Sequence, residues 1–326
     1  MALARTLTSI IKIDCLPDDF EILVVDNASI DQTRSAFETA HASSPHLNWR
    51  YFFEPIPGLL SARHKGALEA AGDVFVFIDD DVRLATDWLS AIKEAFTIPG
   101  TALVGGPSQP LYEECPSEWL REFYWENDSG LGCEYLSVFD GGAGVKEIDP
   151  MYVWGLNYAI RGDILFKVGG FNPDSLPKTL QRYQGDGETG LGFKIKQAAM
   201  RCVYHPQARV VHEVPSARLK PQYFEHRAFF QGVCDSYTSI RRDGCVNKVE
   251  RNSAQQLRSI ISGFSRKMRG STTKNIRANI SAAYARGYAF HQGEVARDEM
   301  LLAWVLRQNY WKYDLPDGWR RFLAAK

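Results

Sequence analysis

The 326-residue sequence lacks long hydrophobic runs, a surplus of charge of one sign and paired-cysteine motifs. Without an uncharged apolar stretch of about 18 residues, it predicts no membrane-spanning helix. With 38 basic against 39 acidic side chains, it also lacks the basic excess of nucleic-acid-binding domains, so we expect no nucleic-acid partner. None of the six cysteines forms a Cys-x-x-Cys pair, which favours a reduced, cytoplasmic setting.

Short apolar runs alternate with helical patterns over the first hundred residues. Residues 20–25 and 73–78 are typical of buried strands, and carboxylates follow both of them. This alternation predicts an α/β fold with a mostly parallel sheet. Because ligands bind beyond the carboxyl ends of the strands in such sheets, Asp26 and the run 79–81 predict a binding site there.

Long helical patterns replace this alternation beyond residue 220. We therefore predict an α/β domain over residues 1–215 and an α-helical extension over residues 216–326. Basic residues alternate with apolar ones in the extension, which is typical of a solvated helix face or of a contact with a second subunit. The same pattern leaves open a peripheral contact with an anionic membrane surface. These basic residues are Arg251, Arg258, Arg266, Lys267, Arg269, Lys274 and Arg277.

The three consecutive carboxylates Asp79, Asp80 and Asp81 stand at the end of a predicted rigid strand. Crowded like charges are costly unless a cation resides among them. Their hard oxygen atoms suit Mg²⁺ or Mn²⁺, which commonly complete their shells with substrate phosphates. The alternative interpretation is a solvated turn that caps the next helix.

Several ordered motifs resemble those of family 2 glycosyltransferases of the GT-A fold. The segments Ile22–Asp31, Gly58–Gly66 and Phe77–Asp81 match in order and spacing. Two later stretches, 155–171 and 185–191, are similar to the acceptor-side and acidic catalytic motifs of that family. The resemblance covers residues 1–215.

The resemblance implies an inverting, metal-dependent enzyme of glycan or surface polysaccharide biosynthesis. Its donor is expected to be a nucleoside-diphosphate sugar, most simply a UDP-sugar, and its acceptor a hydroxyl of a glycan or a lipid-linked sugar. The expected cofactor is Mn²⁺ or Mg²⁺. The expected location is the cytoplasm, with the inner face of the membrane as the site of any peripheral contact.

The same resemblance assigns roles to individual residues. The general base is Glu188, with Asp186 as the second choice because Gly187 splits the usual acidic pair. The expected metal ligands are Asp81, Asp79 and His212, and the expected acceptor contacts are Trp154 and Asn157. Structural roles remain open for these residues. Glu188 and Asp186 could be acids that stabilise the start of a helix. His212 could be a hydrogen-bonded structural residue at a strand end, and Trp154 could pack in the core. The expected donor contacts are Asp26, Asn27, Ser29, Arg63, Asp79 and Asp80.

The beginning of the sequence departs from the family pattern. Relatives begin with an apolar strand and a nucleobase-binding loop before the first helix, whereas here the helical pattern starts at once. We therefore expect the first strand to be missing, the donor to bind weakly, and an N-terminal extension to restore affinity. Two other functions remain open: an inactive relative that serves as a binding module, and a sugar nucleotidyltransferase, although the glycine-rich phosphate loop expected of the latter is absent.

Overall fold

The structure, a computed structural model, describes residues 2–246 and 272–313. These residues divide into two compact units. The first contains residues 2–181, 186–218 and 308–313, and the second contains residues 182–185, 219–246 and 272–307. The division into domains at residues 215 and 216 stays a prediction.

Helices and strands alternate in the first unit, as the sequence predicts. The helices of the described chain are α1 Ala2–Ile11, α2 Thr33–Ser43, α3 Leu59–Glu69, α4 Trp88–Thr97, α5 Gly162–Lys167, α6 Gly187–Gln197, α7 Pro221–Asp243, α8 Thr272–Val295 and α9 Glu299–Val305. The strands are β1 Glu21–Asp26, β2 Asn48–Phe53, β3 Val74–Ile78, β4 Val82–Leu84, β5 Thr101–Gly105, β6 Ser108–Tyr112, β7 Trp125–Asn127, β8 Gly130–Cys133, β9 Val138–Asp140, β10 Lys146–Glu147, β11 Asn157–Arg161, β12 Arg201–Tyr204 and β13 Val210–Val214.

The described strands form three sheets. Strands β1 and β2 pair with each other in parallel. A five-stranded sheet has the order β10-β12-β5-β11-β3, and a six-stranded sheet has the order β4-β13-β6-β9-β8-β7. Near-continuous apolar sequence in β5 and β11 matches their place inside the five-stranded sheet, where both faces are covered.

The α/β class is confirmed, but the prediction of a mostly parallel sheet is wrong. The strand pairs β1/β2, β5/β12 and β6/β13 are parallel, whereas β11 runs antiparallel to both β3 and β5. The regular alternation of the first hundred residues predicted parallel crossovers. Strand β11 follows a long irregular segment instead, and an apolar run does not encode the direction in which its strand enters a sheet.

The hydrophobic core of the first unit lies between the helices and these sheets. Helix α1 buries Leu7 and Ile10, and α4 buries Trp88, Ile92 and Ala95 in the same cluster. Both helices carry apolar residues at helical spacing on one face, which explains why each forms and which side it buries. The packing of α1 against β4 sets the helix beside the acidic turn.

The second unit is built from α7, α8 and α9. Helix α7 ends at Gly244, whose left-handed backbone is a common helix stop. Helix α9 begins at Asp298, whose side chain accepts hydrogen bonds from the backbone of Met300 and Leu301. No helix of the described chain is long and apolar enough to cross a membrane. Of the basic residues considered for membrane contact, Arg251, Arg258, Arg266, Lys267 and Arg269 lie outside the described residues.

Candidate active site

The acidic turn Asp79–Asp81 joins β3 to β4 and so leads from one sheet to the next. The buried Thr6 hydroxyl contacts the backbone carbonyls of Asp80 (2.8 Å) and Val82 (2.7 Å). On the far side, the backbone N–H of Glu213 donates to the carbonyl of Asp81 (2.9 Å). The turn is therefore held from α1 and from β13, which limits the positions its carboxylates adopt.

Arg63 of α3 lies between the acidic turn and the start of α6. Its Nη1 donates to Glu188 Oε2 (3.0 Å), and its Nη2 lies 4.0 Å from Asp79 Oδ1. The guanidinium also lies over the Phe171 ring, 5.1 Å from the ring centroid. Its side chain is only 7% exposed. Arg63 therefore joins two carboxylates that are far apart in sequence.

Burial and charge act in opposite directions on these groups. Loss of hydration raises the pKa of Asp79 to about 6, with Arg63 opposing the rise and the charges of Asp81 and Glu188 adding to it. Burial also raises the pKa of Glu188, but the Arg63 guanidinium outweighs burial and holds that pKa below its ordinary value. Glu188 is consequently ionised at neutral pH and able to accept a proton.

Two glycines permit the position of Glu188. A Cβ on Gly155 would lie 2.0 Å from Arg63 Nη2, so a larger residue there would displace the guanidinium. Gly187, at the start of α6, has φ +51°, and a Cβ there would lie 2.6 Å from Asp174 Oδ2. The glycine that splits the acidic pair thus fits a turn that disfavours other residues.

The second candidate base, Asp186, is in a different environment. It is buried, and its Oδ1 accepts a hydrogen bond from Asn172 Nδ2 (2.7 Å). Glu188 is more accessible, and its Oε1 has a long contact of 3.4 Å with the backbone N–H of Gly155. Of the two carboxylates, Glu188 is therefore the better placed to meet a substrate.

Asp81 and His212 are brought together by the pairing of β4 with β13. Their register sets His212 opposite Val82, next to Asp81. His212 Nε2 lies 3.5 Å from Asp81 Oδ2, and its Nδ1 is hydrogen-bonded to the carbonyl of Leu136 (2.9 Å). Arg218 contacts both residues: its Nη2 lies 2.9 Å from Asp81 Oδ2, and its Nη1 lies 2.8 Å from His212 Nε2.

The donor set near Asp81 fits a divalent ion that shares its ligands with a substrate. Asp81 Oδ1 is buried and has no hydrogen-bond partner among the described residues. Among the described residues, no group of three or more His, Cys, Asp or Glu side chains is arranged to hold an ion. Mg²⁺ and Mn²⁺ are commonly held by one or two protein ligands together with phosphate oxygens. Asp79 lies with Arg63 instead, and its role as a metal ligand stays a prediction.

Asp26 is held by two donors at the end of β1. The Tyr51 hydroxyl donates to its Oδ2 (2.5 Å), and the backbone N–H of Ser29 donates to its Oδ1 (2.7 Å). Burial raises the pKa of Asp26, but these hydrogen bonds outweigh burial and keep that pKa below its ordinary value. Burial and the hydrogen bond to Asp26 raise the pKa of Tyr51 to about 12. Asp26 is therefore a fixed anion at the predicted donor side.

Some predicted contact residues already have structural partners. The Asn27 amide bonds the carbonyls of Glu54 (2.9 Å) and Ile56 (2.6 Å) and accepts from the backbone of Gly58 (2.9 Å). The buried Asn157 amide accepts from Trp88 Nε1 (3.0 Å) and donates to the carbonyl of Ala208 (2.7 Å). These contacts favour structural roles for both asparagines, and substrate contacts by them stay predictions.

The other predicted contact residues keep accessible surface. The side chain of Ser29 and that of Asp80 are exposed. Trp154 is half-buried, with its Nε1 donating to the carbonyl of Met151 (3.2 Å) and its ring 5.8 Å from that of Phe139. Donor contacts by Ser29 and Asp80, and an acceptor contact by Trp154, stay predictions.

Comparison with known families gives a match over the N-terminal part of the chain. The sequence model described as glycosyl transferase family 2 matches residues 2–141, which include the acidic turn and Arg63. Over these residues the chain is similar to that family. The resemblance to family 2 glycosyltransferases predicted from the motifs is thereby confirmed.

Relatives of this chain include a glucuronosyltransferase and a succinoglycan biosynthesis protein. Glucosyl-dolichyl phosphate glucuronosyltransferase of Haloferax volcanii is 29% identical over 178 residues, which are 54% of this chain and 54% of that protein. Succinoglycan biosynthesis protein ExoM of Rhizobium meliloti is 26% identical over 232 residues, covering 71% of this chain and 69% of that protein. The chain spans about half the length of the Haloferax relative.

A solved structure confirms the predicted GT-A fold of this chain. The mannosyltransferase PcManGT from Pyrobaculum calidifontis, in complex with GDP-Man and Mn²⁺, has a TM-score of 0.54 and 18% identity. The comparison covers 96% of this chain and 84% of that structure.

Sequence reasoning missed three residues of the site. Tyr51 lies inside an ordinary strand pattern and carries no signal of its contact with Asp26. Gly155 was part of the acceptor-side motif, but its closeness to Arg63 arises only in the folded chain. Arg218 follows His212 by six positions, and a basic residue so near a predicted metal-binding histidine was an available signal.

Proposed function

We propose that the protein is an inverting, metal-assisted glycosyltransferase that moves a sugar from a nucleoside diphosphate to a hydroxyl of a glycan or lipid-linked acceptor. The observation that carries this proposal is the ion-pair chain from Asp79 through Arg63 to Glu188. Through Arg63, the candidate proton acceptor Glu188 is linked to the acidic turn at the predicted donor side. Sugar transfer needs a proton acceptor close to the site that binds the donor diphosphate.

Glu188 acts as the general base. As the acceptor oxygen forms its bond to the anomeric carbon, the bond from that carbon to the diphosphate oxygen breaks, and the hydroxyl proton passes to Glu188. Its Oε2 is engaged by Arg63, whereas Oε1 has a long contact with the backbone N–H of Gly155. The proton therefore goes to Oε1. Attack opposite the leaving group inverts the anomeric configuration.

Asp81 and His212 would hold the divalent ion. When bound, such an ion neutralises the negative charge that develops on the departing diphosphate. The unpartnered Asp81 Oδ1 supports this assignment. So does the Mn²⁺ in the complex of the Pyrobaculum mannosyltransferase.

The class of substrate is supported by the names of the relatives. The Pyrobaculum enzyme was solved in complex with GDP-Man. The name of the Haloferax relative contains glucosyl-dolichyl phosphate, and the name of the Rhizobium relative contains the polysaccharide succinoglycan. These names favour a nucleotide-sugar donor and an acceptor that is a growing glycan or its lipid-linked precursor. The fixed Asp26 carboxylate is suited to accept hydrogen bonds from the nucleoside.

A panel of UDP- and GDP-sugars with Mn²⁺ tests the proposal, with release of the nucleoside diphosphate as the signal. We expect turnover of one donor by the wild-type chain and loss of turnover in Glu188→Gln and Asp81→Asn. Turnover retained in both variants would overturn the mechanism. Donor binding without turnover in the wild type would favour the alternative of a binding module.

A further inference from the structure

Arg218 occupies the space between the two candidate metal ligands. It belongs to a single 3-10 turn, Ser216–Leu219, that directly follows β13. Its two terminal nitrogens bridge Asp81 Oδ2 (2.9 Å) and His212 Nε2 (2.8 Å). Since a guanidinium has no acceptor, His212 Nε2 accepts this bond, which leaves Nδ1 to donate to the Leu136 carbonyl. Both ligands are thus in the protonation state that a metal ion requires.

The surrounding charges explain why a cation lies there. Asp81 follows two other carboxylates in the acidic turn, and the Arg218 guanidinium helps to hold its pKa below the ordinary value, against the effect of burial. Arg218 is about one-third exposed, whereas His212 is nearly fully buried. The arginine is therefore the partner with room to move.

The arginine leaves part of Asp81 unsatisfied. Its guanidinium engages Oδ2, whereas the buried Oδ1 has no hydrogen-bond partner among the residues described. A buried carboxylate oxygen without a partner is costly. The arrangement thus retains an attraction for a second cation at Asp81, although Arg218 already supplies one positive charge.

We propose that Arg218 is an exchangeable counter-cation, which pairs Asp81 with His212 in the ligand-free protein and transfers to the donor diphosphate when a divalent ion takes its place. This inference rests on the proposed function. The guanidinium suits either partner, because it binds carboxylate and phosphate oxygens with the same planar set of donors. Arg218 weakens binding of the ion alone and strengthens binding of the ion together with the nucleotide.

The exchange predicts a measurable coupling between ion and nucleotide. Without nucleotide, a divalent ion must displace Arg218 into water. With nucleotide, the displaced arginine gains the diphosphate as its new partner. By linkage, the nucleotide then raises the affinity for the ion, and the ion raises the affinity for the nucleotide by the same factor.

Binding of Mn²⁺ alone, followed by electron paramagnetic resonance, tests this exchange in the full chain. We expect Arg218→Met, which keeps an unbranched apolar stem, to bind Mn²⁺ about tenfold more tightly than wild type. The matched control is Arg209→Met, which removes an equal charge from the segment leading into β13 but contacts Asp87 instead (4.0 Å). We expect the control to bind Mn²⁺ as wild type does. Adding His212→Ala to Arg218→Met should abolish the gain.

The outcomes separate the exchange from the proposed function. Unchanged or weaker Mn²⁺ binding by Arg218→Met, or an equal gain in the control, would overturn the exchange. If Arg218→Met fails to fold, Arg218→Lys replaces it, and its shorter point charge should give a smaller gain in the same direction; no gain would overturn the exchange. Saturating UDP, and separately GDP, should raise Mn²⁺ affinity more in wild type than in Arg218→Met. If neither nucleotide binds the wild type, the donor class fails, while the comparison with Mn²⁺ alone still decides the role of Arg218.

Discussion

Arg63 and Glu188, 125 positions apart in the chain, meet in a hydrogen bond of 3.0 Å between Nη1 and Oε2. The contact links α3, which carries the predicted donor contact Arg63, to α6, which carries the predicted base Glu188. Because the pair is largely buried, each partner depends on the other for compensation of its charge. Four predictions follow from this site and its surroundings, each checked by a different measurement.

Replacing Glu188 with Gln should lower kcat by about 10²- to 10⁴-fold, the usual contribution of a general base. The amide keeps a hydrogen-bond acceptor for Arg63 but cannot take the proton. Asp186→Asn is the comparison, since Asp186 is buried against Asn172, and we expect it to lose no more than about tenfold by the same measure. Steady-state kinetics with the donor found in the panel decide the matter. A larger loss in Asp186→Asn would reassign the base.

Substituting Gly155 by Ala should displace Arg63 from Glu188, because the new Cβ would lie 2.0 Å from Arg63 Nη2. We expect kcat to fall and the free energy of unfolding to drop by about 1–3 kcal/mol, the usual cost of overpacking. Gly144→Ala is the matched control, since a Cβ at Gly144 meets nothing within 4 Å. Thermal melts and turnover of both variants test this. Equal behaviour of the two would show that Gly155 does not position Arg63.

Changing Tyr51 to Phe should weaken binding of the nucleotide donor at mildly acidic pH. The Tyr51 hydroxyl is one of the groups that hold the pKa of Asp26 below its ordinary value, so its loss raises that pKa. Donor binding that uses the ionised Asp26 carboxylate weakens as the pH falls through the pKa of Asp26 in the folded protein. In the variant that pKa is higher, so the weakening begins at a higher pH. Calorimetric titration of the nucleotide from pH 7 downward should show affinity failing earlier than in wild type, and superimposable profiles would contradict the role of Tyr51.

His64 should make the protein less stable in acid. Burial lowers its pKa to about 3, and its Nε2 accepts a hydrogen bond from the backbone N–H of Phe171 (3.0 Å) while its ring stacks on Trp311 (4.0 Å between centroids). The neutral form is thus favoured in the folded state. The stability that His64 contributes is complete above the unfolded pKa of about 6.5 and is lost progressively as pH falls towards 3, by at most about 1.4 kcal/mol per pH unit.

Urea unfolding of wild type and His64→Gln between pH 7 and pH 4 measures this effect. The glutamine side chain can accept the Phe171 bond but does not titrate in this range. We expect the free energy of unfolding to fall less steeply with decreasing pH in His64→Gln than in wild type. The exposed histidine His41 supplies the control, and His41→Gln should retain the wild-type slope. Parallel slopes in all three proteins would rule out His64 as the acid-sensitive group.

Much of the first unit could be predicted from local pattern. The helix over Ala2–Ile11 and the strands over Glu21–Asp26 and Val74–Ile78 follow from periodicity and from the polar turns that end them. The resemblance to family 2 glycosyltransferases followed from several motifs in order. The mixed direction of the sheets could not be predicted, because the β11 segment is equally apolar whichever way it runs.

Residue types and spacing by themselves determined the α/β class and the acidic strand ends at Asp26 and Asp81. The resemblance of ordered motifs to family 2 glycosyltransferases implied the further candidates Glu188 and His212. These properties reside in short stretches of chain, where periodicity and chemical type are sufficient. Only the tertiary structure decided which charges face one another: Arg63 with Glu188, and Arg218 with Asp81 and His212. The physical reason is that an ion pair depends on distance and burial. Both are set by how sheets and helices pack, and the pair Arg63 and Glu188 comes from stretches 125 positions apart in sequence.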